Sequence, residues 1–248
     1  MPSLSVVVPA YNEEVRLKAT LPVVLDYLEK SHRSFEVLVV DDGSADSTRD
    51  VAHAFASRGV RALRLERNSG KGAALRRGVL ESSGDHVLLT DADLSTPISE
   101  VERLEPVLER ADLVFGSRAA SGSRIDQPQP QLRQWMGKTF NFMIRTLVAG
   151  GIRDTQCGFK LLDGPTARAL FADLLLDGFA YDVELLWLAR QRGLRVAEVG
   201  VVWNHSPDSK VHLFTDSARM ALDILRIRLL HWSRRQKHRP PQTPMGQQ

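Results

Sequence analysis

The chain has one cysteine and no long apolar run, and each shortage excludes a class of protein. Cys157 stands alone, which excludes internal disulfides and a cysteine-rich zinc site and is compatible with a reducing cytosol. No uninterrupted apolar stretch approaches the roughly 18 residues of a membrane span. The run Leu4–Val8 is too short for a signal peptide and lacks a basic leader, so none is expected. With 248 residues, 43% hydrophobic and 25% charged, the chain suits one folded α/β domain or two small ones.

The positive charge of the chain is concentrated towards its C-terminal end. The formal net charge is +3, and from Asp216 onward seven Lys and Arg residues oppose two Asp residues, which leaves a net charge of −2 on the preceding part. A mildly acidic body argues against a nucleic-acid-binding surface, so nucleic acid is not an expected partner. The basic end indicates one local anionic partner instead.

Strand-like apolar runs alternate with helical patterns in the first half of the chain. Strands are predicted at Leu4–Val8, Phe35–Val40, Val60–Leu65, His86–Thr90 and Leu113–Gly116, and helices at Asn12–Lys30, from Ser44 or Asp46 to Ser57, and at Lys71–Ser83 and Pro97–Arg110. This alternation predicts an α/β fold with a mostly parallel central sheet and helices on both faces. Ligands of such sheets bind beyond the carboxyl ends of the strands.

The second half of the chain has a weaker pattern. A long loop of the kind that forms lids is predicted at Arg118–Gln131; helices are predicted at Leu132–Val148, Gly164–Leu176, Asp182–Arg192 and His212–Trp232, and a buried strand at Val196–Trp203. We therefore expect a catalytic domain over residues 1–211, a basic amphipathic helix over 212–238 and a disordered tail over 239–248.

The segment Leu89–Asp93 is the most informative part of the sequence. An apolar run stops there at Asp91 and Asp93, and side chains two residues apart on an extended strand point to the same side. Two close carboxylates repel each other unless a cation lies between them. Mg²⁺ and Mn²⁺ prefer carboxylate oxygens and share their remaining sites with phosphates and water. The pair predicts a site for Mg²⁺ or Mn²⁺; a solvated turn or a helix N-cap before Pro97 is the alternative.

Polar residues also follow the other predicted strands. Tyr11 can stack on a flat base and Glu13 can accept a hydrogen bond from a ribose or base, although an ordinary strand-to-helix turn explains them as well. Asp42 can bind a base or ribose, or cap the next helix. Lys71 lies beside two glycines at a helix N-terminus, a position that favours phosphate. The spacing is not that of a P-loop, and a tight turn is the alternative there.

Eight segments carry a resemblance to a known family. In chain order they are VVVPAYNEE, VVDDGSADST, NSGKGAALRRG, LLTDADLSTP, GSR, DTQCGFKLL, GFAYDVELL and SPDSKV. Over about residues 3–230 they resemble the family 2 glycosyltransferases of the GT-A fold, which has a Rossmann-like sheet. More narrowly, they resemble the polyprenyl-phosphate (dolichyl-phosphate) glucose and mannose synthases.

The resemblance implies which residues bind the donor. The nucleotide would be held by Pro9, Tyr11, Glu13, Asp42, Lys71, Asp91 and Ala92. Asp91 and Asp93 would be the metal motif. Ser95 stands where mannose-transferring relatives often carry Gln as a third metal ligand, so water would replace that ligand, and the LSTP continuation is more similar to the glucosyl branch.

The resemblance also implies roles for three basic residues. Arg118, Arg133 and Lys210 match positions that meet the acceptor phosphate or the donor diphosphate. Fixed cations there would reduce the repulsion between two phosphate-bearing substrates. Solvated or ion-paired surface residues are the alternative.

Two further segments of the resemblance, Asp154–Lys160 and Phe179–Glu184, are candidates for sugar contacts. In many inverting GT-A enzymes an acid near the position of Asp182 or Glu184 is the general base. A phosphate acceptor has a second pKa near 6, so it is largely a dianion at neutral pH and can attack unaided. Asp182 is therefore expected to orient the sugar or a cation, and its alternative role is the N-cap of the following helix.

The C-terminal helix combines apolar residues and Trp232 with flanking Lys and Arg. This composition is typical of a helix at a membrane interface, and a helix packed on the domain is the alternative. We therefore expect a peripheral protein on the cytosolic face of a membrane.

The function implied is inverting, metal-dependent transfer of a hexose. Glucose or mannose would pass from UDP-Glc or GDP-Man to a polyprenyl phosphate, with a homo-oligomer possible. The alternatives are a soluble glycosyltransferase with a non-lipid acceptor and a non-catalytic nucleotide-sugar-binding protein.

Overall fold

The structure is a computed structural model that describes residues 2–31, 34–127 and 152–204, and residues 222–223, 226–227 and 229–231 of a C-terminal helix. Four predictions fall outside the described residues: the helix at Leu132–Val148, Arg133, Lys210 and the tail over 239–248. Most of the helix predicted at 212–238 also lies outside them.

Strands and helices alternate as predicted in the first half of the chain. The strands are β1 (Leu4–Ala10), β2 (Phe35–Asp41), β3 (Val60–Arg64), β4 (His86–Leu89), β5 (Leu113–Ser117), β6 (Arg124–Gln127), β7 (Lys160–Asp163), β8 (Val196–Gly200) and β9 (Val202–Asn204). The α-helices are α1 (Glu14–Lys30), α2 (Thr48–His53), α3 (Lys71–Glu81), α4 (Val101–Leu108), α5 (Gly164–Asp173) and α6 (Tyr181–Gln191), with short 3₁₀ turns at Ala56–Arg58 and Ile98–Glu100.

Seven of these strands form one sheet in the order β3-β2-β1-β4-β7-β5-β8. The β1, β2, β3 and β4 pairings are parallel, as is the pairing of β5 with β8, whereas β7 runs antiparallel to both of its neighbours. The chain adds β2 and β3 on one side of β1 and then places β4 on the other side. This reversal leaves a crevice beyond the carboxyl ends of β1 and β4, the place where open α/β sheets bind ligands.

The core lies in two layers, one on each face of the sheet. Because successive strand residues face opposite sides, Val7 lies in the layer that contains α3, α5 and α6, while its neighbours Val6 and Val8 lie in the layer that contains α1, α2 and α4. The buried apolar residues of α1 recur at helical spacing and are Leu17, Leu21, Val24, Leu25 and Leu28. The predicted α/β class, with helices on both faces, is confirmed.

Three details differ from the sequence-based expectation. The strand predicted at Val196–Trp203 is broken into β8 and β9, and most of its residues are only partly buried. The break occurs because β9 leaves the main sheet and pairs with β6. The prediction of loop throughout Arg118–Gln131 is therefore wrong for β6. The strand β7, between β4 and β5, was not predicted.

The described part of the C-terminal helix has a buried side and an exposed side. Ile227 is fully buried in the same core layer as α6, and His231 is 6% exposed. Leu222, Leu229 and Leu230 face solvent, as does Arg226. Among the described residues, no helix combines the length and apolarity needed to cross a bilayer.

Candidate active site

The turn that follows β4 carries both carboxylates of the Asp91–Asp93 pair. Its backbone is fixed on two sides, because the Thr20 hydroxyl of α1 donates to the Ala92 carbonyl (2.9 Å) and the Asn204 amide donates to the Ser95 carbonyl (2.7 Å). Leu94 has a φ of 47°, a left-handed conformation that costs free energy in a non-glycine residue and is found at functional sites. The turn is therefore held in a shape that an isolated peptide would rarely adopt.

Lys71 at the start of α3 forms an ion pair with the first of these carboxylates. Its Nζ lies 2.6 Å from Asp91 Oδ1. Burial alone would raise the pKa of Asp91, but Lys71 and, behind it, Lys160 hold that pKa below its ordinary value. Asp91 is therefore ionised at neutral pH, with 36% of its side chain exposed to the crevice.

The other side of Asp91 lies against the backbone at Gly158. A Cβ atom added to Gly158 would stand 2.2 Å from Asp91 Oδ2 and 2.6 Å from its Cγ. Only glycine leaves room for the carboxylate at this place. Asp91 is thus enclosed by the Lys71 ammonium and the segment that leads into β7.

A second, fully buried ion pair lies beneath the first. Lys160 Nζ on β7 is 2.5 Å from Asp182 Oδ1 at the start of α6 and also donates to the Cys157 carbonyl. The ammonium lies over the rings of Phe115 and Tyr181, 5.1 and 5.5 Å from their centroids. Burial raises the pKa of Asp182, and Lys160 offsets that rise only in part.

The residues that follow β1 lie at the same edge of the sheet as the turn after β4. Pro9, one residue before the end of β1, is half-buried, and Tyr11 is 39% exposed, which leaves its ring accessible to a base. The Glu13 carboxylate pairs with Arg16 at 3.0 Å. The Asn12 and Glu13 amides donate to Ser44 and Thr48, at 2.8 Å each, so the loops after β1 and β2 are joined.

Asp42, expected to hold the nucleotide, is buried and bonded to the loop before α3. Its two carboxylate oxygens accept from the amides of Ser69 (2.7 Å) and Gly70 (2.8 Å). Burial raises its pKa, and these two hydrogen bonds oppose the rise. The Asp42 carboxylate holds the loop that leads into Lys71. Its contact with a nucleotide stays a prediction.

Arg118, expected at a substrate phosphate, forms a bidentate pair with buried Asp154. Its Nε and Nη2 lie 2.7 and 2.8 Å from the two Asp154 oxygens, and its guanidinium lies 5.5 Å from the Trp203 ring centroid. Burial alone would raise the pKa of Asp154, but Arg118 lowers it. The pair orients the guanidinium, whose role towards phosphate stays a prediction.

Glu184 and Cys157 have no exposed reactive atoms. Both Glu184 oxygens accept backbone amides, those of Leu175 and Leu176, at 2.9 and 2.8 Å, and the side chain is fully buried. With both oxygens occupied by backbone amides, Glu184 is not placed to take a proton from a substrate. Burial raises the pKa of the Cys157 thiol, as expected of a structural cysteine.

The Asp91 and Asp93 carboxylates fit the chemistry of Mg²⁺ or Mn²⁺. These ions are bound in proteins by one or two carboxylates, with water and substrate phosphates completing the coordination. No cluster of three His, Cys, Asp or Glu suited to a metal occurs in the described part of the chain. Ser95 is buried and donates its amide to Asp93 Oδ1 at 2.9 Å. The donor set is therefore that of a metal shared with a phosphate-bearing ligand.

Lys160 and Gly158 are site residues that the sequence patterns did not single out. Both lie in the segment quoted for possible sugar contacts, DTQCGFKLL. The available signal was a lysine inside an apolar run, because a charge in a buried strand needs a partner. The glycine gave no signal until Asp91 was located in space.

Comparisons with known proteins show what the chain is similar to. The family model described as "Glycosyl transferase family 2" matches residues 5–167. Similar proteins include the dolichyl-phosphate beta-glucosyltransferases of Mus musculus, 41% identical over 91% of this chain and 75% of that protein, and of Dictyostelium discoideum, 39% identical over 91% of this chain and 73% of that protein.

Solved structures share the fold at lower sequence identity. Glucosyl-3-phosphoglycerate synthase from Mycobacterium tuberculosis, in complex with Mn²⁺, UDP-glucose and phosphoglyceric acid, has a TM-score of 0.65 at 22% identity, covering 91% of this chain and 79% of that one. Mannosyl-3-phosphoglycerate synthase from Rubrobacter xylanophilus has a TM-score of 0.66 at 22% identity, covering 98% and 79%.

Replacing Gly158 by alanine should displace Asp91 and weaken binding of a divalent cation. The methyl group cannot fit 2.2 Å from a carboxylate oxygen, so the carboxylate or the backbone must move. We expect Mn²⁺ affinity, measured by titration calorimetry, to fall about ten- to a hundredfold, since a displaced charge-assisted ligand costs about 1.5–3 kcal/mol.

Gly178→Ala is the matched control for this substitution. A Cβ atom at Gly178 meets no atom within 4 Å, so its Mn²⁺ affinity should equal that of the unchanged protein. Unaltered Mn²⁺ binding by Gly158→Ala would contradict the assignment of Asp91 as a ligand.

Proposed function

The chain belongs to glycosyl transferase family 2, and from this premise we propose that it transfers glucose from a nucleotide diphosphate to a dolichyl-type polyprenyl phosphate. Membership of the family makes the protein a glycosyltransferase. The choice of glucose and of a lipid phosphate is supported by similarity to proteins named dolichyl-phosphate beta-glucosyltransferase over 91% of the chain. The LSTP segment, which is more similar to the glucosyl branch, agrees with this choice.

The observation that carries the proposal is the meeting of Lys71 and Asp91 in the crevice beyond the carboxyl ends of β1 and β4. A helix N-terminus with its lysine and a strand end with its carboxylates converge there. A nucleoside diphosphate needs both kinds of group, because its phosphates are stabilised by cations and by backbone amides. Tyr11 is accessible across the crevice to stack on the base.

Asp91 and Asp93 are the residues that would hold Mg²⁺ or Mn²⁺. When bound, the cation supplies positive charge that neutralises the leaving diphosphate. Lys71 adds a second positive charge beside the cation. Burial alone would lower the pKa of Lys71, but Asp91 and Asp182 raise it above its ordinary value.

The transfer itself needs no protein base. An oxygen of the acceptor phosphate attacks the anomeric carbon from the face opposite the leaving group. The new carbon–oxygen bond forms as the bond to the nucleoside diphosphate breaks. Because the acceptor is already largely a dianion at neutral pH, no proton has to be removed. Asp182, held by Lys160 at 2.5 Å, then serves to orient a sugar hydroxyl.

Membrane association completes the proposal. The exposed side of the C-terminal helix presents Leu222, Leu229 and Leu230 beside Arg226. Six Lys and Arg lie between Arg226 and Arg239, with no acid among them. Leucines that enter the interface and cations that attract anionic headgroups would hold the protein on the cytosolic face, where a lipid phosphate is available.

A panel of donors and acceptors tests the reaction. We expect transfer of labelled glucose from UDP-glucose or GDP-glucose to a short polyprenyl phosphate, with little transfer from GDP-mannose and little to 3-phosphoglycerate. Preferred use of the small acceptor would identify a soluble glycosyltransferase instead. If neither transfer nor donor hydrolysis occurs with Mn²⁺ or Mg²⁺, the protein would be a non-catalytic nucleotide-sugar-binding protein.

Asp91→Asn and Asp93→Asn should each lower transfer by about 10²–10³-fold, as expected when a charge next to the reacting diphosphate is removed. Asp85→Asn is the control, because exposed Asp85 precedes the opposite end of the same strand. Transfer at fixed donor, with Mn²⁺ titrated, gives the measurement. Full activity of both variants in EDTA would rule out the metal role.

The membrane proposal predicts that exposed apolar residues contribute to liposome binding on the C-terminal helix and not elsewhere. Changing Leu222 and Leu229 to glutamine should reduce sedimentation with phosphatidylserine liposomes at low salt by roughly tenfold or more, because each buried leucine contributes about 1.5–3 kcal/mol. The same change at Val15 and Leu80, which are exposed elsewhere, should have no effect. Equal loss in the two variants, or no binding by the unchanged protein, would contradict it.

A further inference from the structure

A buried carboxylate, Glu184, connects the C-terminal helix to the catalytic domain. Glu184 Oε1 lies 2.6 Å from His231 Nε2, and the imidazole tautomer with its proton on Nε2 donates this hydrogen bond to the carboxylate. The His231 ring also packs on Trp187, with ring centroids 4.7 Å apart. Through this hydrogen bond, the described part of the C-terminal helix contacts an acidic side chain of the catalytic domain.

Glu184 in turn holds the backbone that precedes α6. Its carboxylate accepts from the amides of Leu175 and Leu176, at 2.9 and 2.8 Å. These residues belong to an irregular turn after α5, where the chain has no helical hydrogen bonds of its own. The position of this turn therefore depends on where the Glu184 side chain points.

The same turn supports the N-terminus of α3. The Ala73 amide donates to the Asp177 carbonyl at 3.1 Å. A Cβ atom at Gly72 would stand 2.5 Å from the Leu176 carbonyl oxygen, so turn and helix are in direct backbone contact. Lys71, one residue earlier, reaches Asp91 from this helix end.

From these contacts we infer that His231 is a positioning residue for the donor site. It orients Glu184, Glu184 fixes the turn at residues 175–177, and the turn sets the position of Lys71 against Asp91. The inference rests on the proposed function only in treating Lys71 as part of the donor site. Correct packing of the C-terminal helix thereby determines how tightly the donor binds.

Two substitutions separate the hydrogen bond from the packing. His231→Phe keeps a ring against Trp187 and removes the donor, whereas His231→Gln keeps an N–H near the Nε2 position and removes the ring. Hydrogen exchange should quicken about three- to tenfold at the amides of Leu175, Leu176 and Ala73 in His231→Phe, the range for loss of one hydrogen bond. His231→Gln should restore protection at these amides.

Ile227→Val is the control for general loosening, because Ile227 is buried on the same helix without contributing this hydrogen bond. If Ile227→Val lowers Tm as much as His231→Phe does, hydrogen exchange at the amides of Leu175, Leu176 and Ala73 should still be unchanged in Ile227→Val. Unaltered exchange at Ala73 in His231→Phe, or an equal change in Ile227→Val, overturns the inference.

A double-mutant cycle tests the effect on the donor. His231→Phe should weaken binding of UDP-glucose or GDP-glucose with Mn²⁺ about three- to tenfold and leave the acceptor KM unchanged. In a Lys71→Met background the same substitution should add nothing, since coupled residues give non-additive effects. Additive losses, or a changed acceptor KM alone, overturn the inference. If the unchanged protein binds neither nucleotide sugar, the proposed function fails, while the exchange data still decide the coupling.

Discussion

The site depends on three carboxylates, two of them buried, that each pair with a cation of their own. Asp91 pairs with Lys71, Asp182 with Lys160 and Asp154 with Arg118. A charge removed from water without a partner is strongly destabilising. The two members of each pair must therefore be buried together as the chain folds. Each pair joins residues at least 20 positions apart in the sequence, and the crevice beyond the carboxyl ends of β1 and β4 acquires its shape from them.

The pairing also assigns different tasks to acidic residues that look alike in the sequence. Asp91 is partly exposed to the crevice and is ionised, which suits a residue that binds a cation. Asp42 and Glu184 are buried, and their oxygens accept backbone amides, which suits residues that hold loops. Only the surroundings of each carboxylate separate the two tasks.

Sequence patterns predicted the parts of the site that depend on local order. The apolar run before Asp91 fixed the end of β4, and the glycines and Lys71 fixed the start of α3. Lys160 was missed because β7 has four residues and acquires its place only by pairing with β4 and β5. The contacts of Arg118 with Asp154 and of Glu184 with His231 were missed for a similar reason, since each joins residues that only tertiary packing brings together.

The antiparallel strand β7 has a consequence for how the protein is made. β4 and β5 do not pair with each other; β7, which is synthesised more than 40 residues after β5 ends, lies between them. Until it emerges from the ribosome, both strands keep an unpaired edge, and open edges are templates for pairing with other chains. The same late strand brings Lys160 to Asp182. Because Asp182 and β8 follow β7 in the chain, the buried ion pair and the seven-stranded sheet are completed only after the other strands have been synthesised.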